Sequence, residues 1–457
     1  MGLGHLLLAV RSEHDKYLIG NPQFTFFKGV YRRHTHFAME QVFVPFVGDT
    51  ANAYGRKLYV DIPRTADLLH RMYLVLDIEL PSGSDISGVS PIGYNFIDHI
   101  DLVIGGQLME RHYGQWLALY QEFFQDKRKE FALSYMTSTH DARSNTKTVY
   151  IPMRFWFNND VGLSLPLIAL SNSQIRLEFR MNSKEKIASY SVDLDDSSRT
   201  IANNDLRINR MRMLCEYIHL DKEERVLFSS KSHEYLISQV QNSVDNPIQL
   251  YPLESNPRYE GIVHKVELRF NHPVKEIFWA FKDGHFAVQN VGGSNTTFDS
   301  NSGVLMHNYW RNGQMWAEHM IECNIMLNNK DLTEPLPATF FRSVQGLQHH
   351  HSFGYTTALD RSADDTDAPS PDATLKTAGT GTYLYSFALN PMEYQPSGSI
   401  NFSKLENAHL KFRIYRDTAN FTYGGSNNIG SKHVNIFAVH YNFLRIQGGQ
   451  CGLLFAV

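Results

Sequence analysis

The sequence predicts an all-β protein built from sandwiches, with a few short helices in its connections. Three observations carry this reading: apolar residues alternate with period two from end to end, helical spacing is scarce, and Gly, Pro, Asn and Ser cluster between the alternating runs. Met72, Leu74, Leu76, Ile78 and Leu80 fall on one face of a strand and Tyr73, Asp77 and Glu79 on the other. Ile175, Leu177, Phe179 and Met181 do the same against Arg176, Glu178 and Arg180. Val266, Leu268 and Phe270 alternate with Lys265, Glu267 and Arg269, and Leu410, Phe412 and Ile414 with Lys411, Arg413 and Tyr415. Such strands bury one face and wet the other, as antiparallel sheets do.

Two helices are expected. Trp116, Leu119, Tyr120, Phe123 and Phe124 share a face at three- and four-residue spacing between Gly114 and roughly Lys129. A second, short helix starts near Asp221, which can cap it, with Glu224 three residues on as in a capping box.

The same order of elements occurs twice. Arg154-Phe155-Trp156-Phe157, then Leu165-Pro166, then Ile175 to Met181 gives an aromatic strand, a Pro-containing connection and an alternating strand with outward Arg. Tyr385-Ser386-Phe387, Asn390-Pro391, Gln395-Pro396 and Leu410 to Ile414 repeat that order, as two copies of one sandwich would. The junction falls near Asp221 to His233. Residues 356–382, rich in Asp, Ala, Ser, Thr, Pro and Gly, read as a long surface loop, and residues 290–302 as a shorter one.

Composition bounds the function. A chain of 457 residues supports about two or three domains, and 42% hydrophobic residues exclude overall disorder. With 43 basic against 47 acidic side chains there is no basic coat for nucleic acid. Cys215, Cys323 and Cys451 are odd in number and too far apart for a Cys-x-x-Cys pair, so a reducing compartment is expected. No apolar run approaches the ~18 residues of a bilayer span. Leu6 to Val10 lacks a basic leader and a cleavage pattern, and Leu6 stands where a myristoylation motif wants Ser or Thr, so the chain is expected to be soluble and unexported.

The search for catalysis returns no constellation, and neither an enzyme nor a cofactor is predicted. His233-Glu234 lacks a second ligand because position 237 is Ile237; Gly379-Thr380-Gly381 is not completed at Leu384; Gly162-Leu163-Ser164-Leu165 ends in Pro166. His349-His350-His351 is expected as a polar loop or strand end, since adjacent side chains diverge instead of converging on a metal. Asp364, Asp365 and Asp367 lack the Gly and Glu of a calcium loop and read as solvated.

Lys28, Arg32, Arg33, His34 and His36, interleaved with Phe26, Phe27, Tyr31 and Phe37, form the sharpest basic cluster. Two readings stand: a contact with an acidic partner (a neighbouring subunit foremost, otherwise headgroups or nucleic acid), or a first strand with a basic wet face. Of three sequons, at Asn295, Asn401 and Asn420, Asn295 is the best glycosylation candidate because it lies in an expected loop.

Several segments together resemble the major capsid protein family of nucleocytoplasmic large DNA viruses, the group of iridoviruses, phycodnaviruses and marseilleviruses. Gly20 to Ala38, reading GNPQFTFFKGVYRRHTHFA, is similar to that family's N-terminal signature. Asp221 to Phe228 with His233 to Ile237 and Gln239 to Gln241 resembles its interdomain segment, and Phe270 to Glu276 with Trp279 a strand of its second domain. Pro396 to Ser403 and Tyr441 to Ile446 resemble its C-terminal signature. Gln450-Cys451 departs from the small-residue tail, and the two loops have no motif to match.

The resemblance implies a double jelly roll: an arm at 1–20, a first eight-stranded jelly roll at 21–220, a linker at 221–235 and a second jelly roll at 236–457. It implies homotrimers that are pseudo-hexagonal capsomers and tile an icosahedral shell. The virion, assembled in the host cytoplasm, is the expected location. Expected partners are the chain itself, penton and minor capsid proteins, and an internal membrane through those partners, with no sequence-specific nucleic-acid binding. Lys28, Arg32 and Arg33 become candidates for inter-subunit or inner-face contact. The alternatives are a minor capsid or penton relative of the same fold, or a carbohydrate-binding double β-sandwich, which would need paired carboxylates or an aromatic platform in one groove.

Overall fold

A computed structural model of the chain describes residues 3–79, 92–124, 127–137, 146–183, 207–248, 263–283, 287–291, 294–298, 320–350, 355–357, 377–379, 382–414 and 432–455. It divides into two units, Met1–Phe37 and Ala38–Val457. The first unit holds helices α1 (Leu3–Ala9) and α2 (Asp15–Ile19), neither with a buried residue, and then runs without regular structure to Phe37. Ser12 donates to Asp15 through its N–H (2.6 Å) and its hydroxyl (3.1 Å), which holds that carboxyl below its usual range.

The second unit is mainly β, and among the described residues the sixteen strands on its four main sheet paths fall into two sets of eight. The first set is β1 (Phe37–Pro45), β2 (Lys57–Asp61), β3 (Leu68–Glu79), β4 (Ile97–Ile104), β5 (Gln107–Tyr113), β6 (Thr146–Pro152), β7 (Ile175–Met181) and β8 (Arg207–Leu220). They form two sheets, β1-β8-β3-β6 and β2-β7-β4-β5. The second set is β9 (His233–Ile248), β10 (Val263–Glu267), β11 (Pro273–Asp283), β12 (Met320–Leu327), β13 (Lys330–Asp331), β14 (Thr382–Ser386), β15 (Ala408–Ile414) and β16 (Lys432–Gln447). Its sheets run β9-β16-β11-β14 and β10-β15-β12-β13. Counted within each set the orders are identical, 1-8-3-6 and 2-7-4-5, so each set is a jelly roll and the chain is a double jelly roll.

The repeat extends to details. In both rolls a two-residue strand between the sixth and seventh pairs with the start of the third: Leu68 and Leu69 meet Pro166 and Leu165, and Pro273 and Val274 meet Asn401 and Ile400. The fourth and fifth strands are joined by two-residue turns with positive φ, at Gly105 (60°) and Gly106 (81°) in one roll and at Asn328 (48°) and Asn329 (62°) in the other. Only residues tolerant of the left-handed region fit such a hairpin.

Antiparallel pairing sorts the connections. Those between strands one and two, three and four, five and six, and seven and eight leave from one end of each roll. The others leave from the opposite end. The two rolls share these ends, because the six–seven connection of the first (Asn172) donates its N–H to Gly449, past the end of β16, at 3.0 Å.

The alternation holds residue by residue in β7 and β15, where Ile175, Leu177, Phe179, Met181 and Leu410, Phe412, Ile414 are buried. Leu80 lies outside the described residues. Helix α3 (Gly114–Phe124) is the expected amphipathic helix, followed by a separate helix at Lys127–Thr137. Helix α4 (Lys222–Ser230) is capped by Asp221, whose carboxylate accepts from Lys222 N at 2.7 Å in place of the box with Glu224.

Three expectations are corrected. Arg154 to Phe157 is not a strand: β6 stops at Pro152 and the chain turns into a helix at Trp156–Asn159, pinned by Phe155 N–H donating to Asn158 Oδ1 (3.2 Å). All three aromatics are buried all the same. Residues 290–302 are in part a hairpin, Ala287–Val291 with Ser294–Phe298, because Thr296-Thr297-Phe298 carries strand propensity that a loop composition hides. Within 356–382, Tyr355–Thr357 pairs with Thr377–Gly379, while 358–376, with Asp364, Asp365 and Asp367, lies outside the described residues.

Candidate functional site

The feature that sets this molecule apart from two independent sandwiches is the seam between the rolls. Sheet β9-β16-β11-β14 is buried on both faces at its centre. In β11, Ile277, Trp279 and Phe281 point into the core of the second roll, and Phe278 and Ala280 join the core that belongs to the first. In β16, Val434, Ile436 and Ala438 belong to the second core and Phe437 and Val439 to the first. Two covered faces require unbroken apolar runs, and Ile277 to Phe281 and Ile436 to Val439 are such runs.

Helix α3 fills the seam. Trp116 sits 5.6 Å from Phe278 and 5.7 Å from Phe437, ring centre to ring centre, and Phe123 lies 5.4 Å from Phe278. These edge-on and tilted pairs are the favoured aromatic geometries. Burying rings of this size contributes ~1.5–3 kcal/mol each.

Polar groups fix the register across the seam. Gln239 Nε2 donates to Met109 O (2.9 Å), Val240 N–H to Glu110 Oε1 (2.9 Å) and Asn242 Nδ2 to Arg111 O (3.0 Å), so β9 is stitched along β5. Asn442 Nδ2 donates to Gln239 Oε1 (2.9 Å), Thr382 Oγ1 to Glu122 (3.0 Å), and Asn435 is bonded to Gln115.

Two buried carboxylate–imidazole pairs mark the same seam. Glu110 Oε1 lies 2.9 Å from His112 Nε2, with the imidazole stacked on Phe155 at 4.5 Å. Glu276 Oε2 lies 2.9 Å from His350 Nε2 with neither side chain exposed, and His350 is ringed by Phe123, Phe124 and Phe278. Beside it Lys275 is buried and donates to Pro391 O at 2.8 Å, and burial pulls its pKa down. His440, on β16, stacks on His272 at 5.0 Å; burial first, then the neighbouring imidazole, pushes it down to about 3. Burial pushes the thiols of Cys215 and Cys451 up to about 12 and that of Cys323 well above the ordinary range, which makes poor nucleophiles of all three.

The histidine run is thereby corrected. His349 is exposed and contacts Leu389 O through Nδ1 (3.1 Å), His350 is in the seam, and His351 lies outside the described residues. Among the described residues no three His, Cys, Asp or Glu converge on one point. Lys28, Arg32 and Arg33 are exposed, and no ion pair is found for them among the described residues. Asn295 lies in the hairpin strand, opposite Asn290. Asn401 caps a short helical turn through Ser403 N (3.0 Å), and Asn420 is outside the described residues.

Sequence reasoning missed Glu110, His112, Gln239, Glu276 and His350. The signal was present: charged Lys275-Glu276 interrupts an apolar strand, and a charge there is retained only if it is partnered.

Two copies of one jelly roll fused along a buried seam place the chain among double jelly-roll proteins, a fold whose single unit recurs in viral capsid, lectin and cupin domains. Residues 25–221 match the family described as the major capsid protein N-terminus, and residues 224–357 and 370–452 match the large eukaryotic DNA virus major capsid protein. The chain belongs to the large eukaryotic DNA virus major capsid protein family. It is 32% identical to the major capsid protein of Pyramimonas orientalis virus, over 100% of both chains, and 29% identical to that of Paramecium bursaria Chlorella virus 1, over 98% of both. Its fold superposes on the PBCV-1 virus capsid quasi-atomic model with a TM-score of 0.72 at 27% identity, covering 95% of this chain and 100% of that one. The Faustovirus major capsid protein shares the fold, with a TM-score of 0.62 at 10% identity over 96% and 94% of the two chains. As a member of this family the chain is a component of the virion capsid.

Proposed function

We propose that three copies of this chain close into a pseudo-hexagonal capsomer, and that these trimers tile an icosahedral shell. The observation that carries this is the identical strand order of the two rolls on either side of one buried seam. A rigid block of two near-equal lobes, repeated by a three-fold axis, gives six lobes in a ring through heterologous contacts. Obligate contacts of this kind bury more than ~2,000 Å².

Within this reading residues 1–20 are an arm, 21–220 the first roll, 221–235 the linker and 236–457 the second roll. The connections at 290–302 and 356–382, which leave from the same end of the second roll, are its outer surface, and Asn295 is the position there for a glycan. Lys28, Arg32 and Arg33 face a neighbouring subunit or the inner side of the shell. The partners are the chain itself, then penton and minor capsid proteins, and through them an internal membrane. The chain performs no catalysis, binds no nucleic acid by sequence and assembles in the host cytoplasm.

Light scattering on the purified chain tests the reading. A species near three times 52.4 kDa is expected; a stable monomer at micromolar concentration overturns it.

A further inference from the structure

The unit Met1–Phe37 has an unusual surface. Leu6, Leu7, Tyr17, Leu18, Phe26 and Phe27 are all exposed, Phe27 to 99%. It is also basic, with five Lys and Arg against two Asp and Glu, whereas the rest of the chain carries thirty-eight against forty-five. Exposed apolar side chains mark an interaction surface, and a cationic one is complemented by a surface that is apolar and carries acidic groups.

The chain itself offers that surface. Outside this unit, among the described residues, the two most exposed large apolar side chains are Leu389 (74%) and Leu347 (68%). They are neighbours, because His349, two residues after Leu347, contacts Leu389 O. Beside them stand exposed Tyr394 and exposed Glu393, for which no ion pair is found among the described residues. Leu389, Glu393 and Tyr394 lie on the six–seven connection of the second roll, at the end where the connections are short, and Leu347 lies on the five–six connection, which reaches them through His349. β1 starts at Phe37, at that same end of the first roll, since Glu40 meets His219 and Phe43 meets Arg212 on β8, an antiparallel match, in a sheet whose ends coincide with those of the second roll. The seventeen residues from 20 to 36, without regular structure, can extend ~55 Å.

We propose that the Met1–Phe37 unit of one copy docks on the Leu347–Leu389 patch of a second copy, its aromatic side chains covering the leucines and Lys28, Arg32 or Arg33 pairing with Glu393. The inference deepens the capsomer reading and rests on it. An anionic lipid surface could satisfy the same basic and apolar residues, but it leaves the patch uncovered, so the second copy is the better occupant.

The test is a full-length chain carrying Phe27→p-benzoyl-phenylalanine, irradiated in solution after its mass has been measured by light scattering. The expected product is a covalent species heavier than one chain, with the linked peptide mapping to residues 344–349 or 389–394. Leu389→Glu, at a position open to water, is expected to lower that product by about tenfold while the folded mass is kept. A mass near three chains with only intramolecular links, or with links mapping elsewhere, overturns the docking and leaves the capsomer standing. Flotation of the full chain with anionic vesicles that depends on Phe27 and Arg32, without the inter-chain product, also overturns it. A monomer in the same measurement overturns the capsomer reading itself.

Discussion

The two sheets of the second roll differ in one respect that decides the rest. The outer sheet, β10-β15-β12-β13, has one wet face: Leu410 and Phe412 are buried, while Lys411 reaches Asp331 on β13 (3.2 Å) and Arg413 reaches Glu322 on the adjacent β12 (3.0 Å). The seam sheet, β9-β16-β11-β14, has no wet face at its centre, where Phe278 and Phe437 pack on Trp116. One sheet closes a sandwich; the other closes a sandwich and joins it to a second. An alternating strand therefore signals a domain boundary with solvent, and an unbroken apolar strand signals a boundary with more protein.

That contrast breaks most sharply at Phe278. Phe278→Ala should cost about 3–5 kcal/mol, seen as a lowered denaturant midpoint. Lys411→Ala on the outer sheet should cost at most about 1 kcal/mol. Equal effects would mean that the second face of the seam sheet is not covered in solution.

The stitching along β5 comes next. Glu110→Ala leaves His112 and the Val240 N–H without their acceptor, and should cost about 1–3 kcal/mol. Hydrogen exchange at Val240 should quicken in this variant and stay unchanged in Lys411→Ala. Protection at Val240 equal to that of the parent would remove Glu110 from the seam.

Acid distinguishes the sheets through pH dependence. An imidazole that titrates near 6.5 in the unfolded chain and at about 3 in the folded one leaves the unfolded chain holding the extra proton between those values. Stability from His440 is thus complete above about pH 6.5 and falls as pH drops toward 3, by up to about 1.4 kcal/mol per pH unit. His440→Asn should flatten that acid limb. His409, on the outer sheet, is also shifted down by burial, but its side chain stands on the half-wet face, so His409→Asn should change the limb less. A limb unaltered by His440→Asn would place the acid sensitivity elsewhere.

How much of this was legible in the sequence follows from the same contrast. Half-buried strands print their burial as alternation, so β3, β7 and β15 could be read directly from Met72 to Ile78, Ile175 to Met181 and Leu410 to Ile414. The doubled architecture was legible in part, because both copies kept an aromatic stretch, a Pro connection and an alternating strand in one order, although the aromatic stretch is a strand only in the second copy. The aromatic stretch at Phe155 misled, since large buried rings look the same in a strand and in a turn that a single Asn158 hydrogen bond closes. The seam could not be read from local spacing. Its determinants pair residues far apart in the chain, such as Glu110 with Val240 and Phe123 with His350, and neither member is distinctive alone. His350 illustrates the point: its neighbours in sequence make it look like a polar loop, and only the tertiary fold brings Glu276 to it.

The central claim is that the welded pair of rolls is the repeating two-lobed unit of a three-fold ring, and electron microscopy of the purified chain tests it most directly. Class averages with three-fold symmetry and six lobes, each ring holding three chains, are predicted. Averages showing isolated two-lobed particles, or rings of any other symmetry, would contradict it.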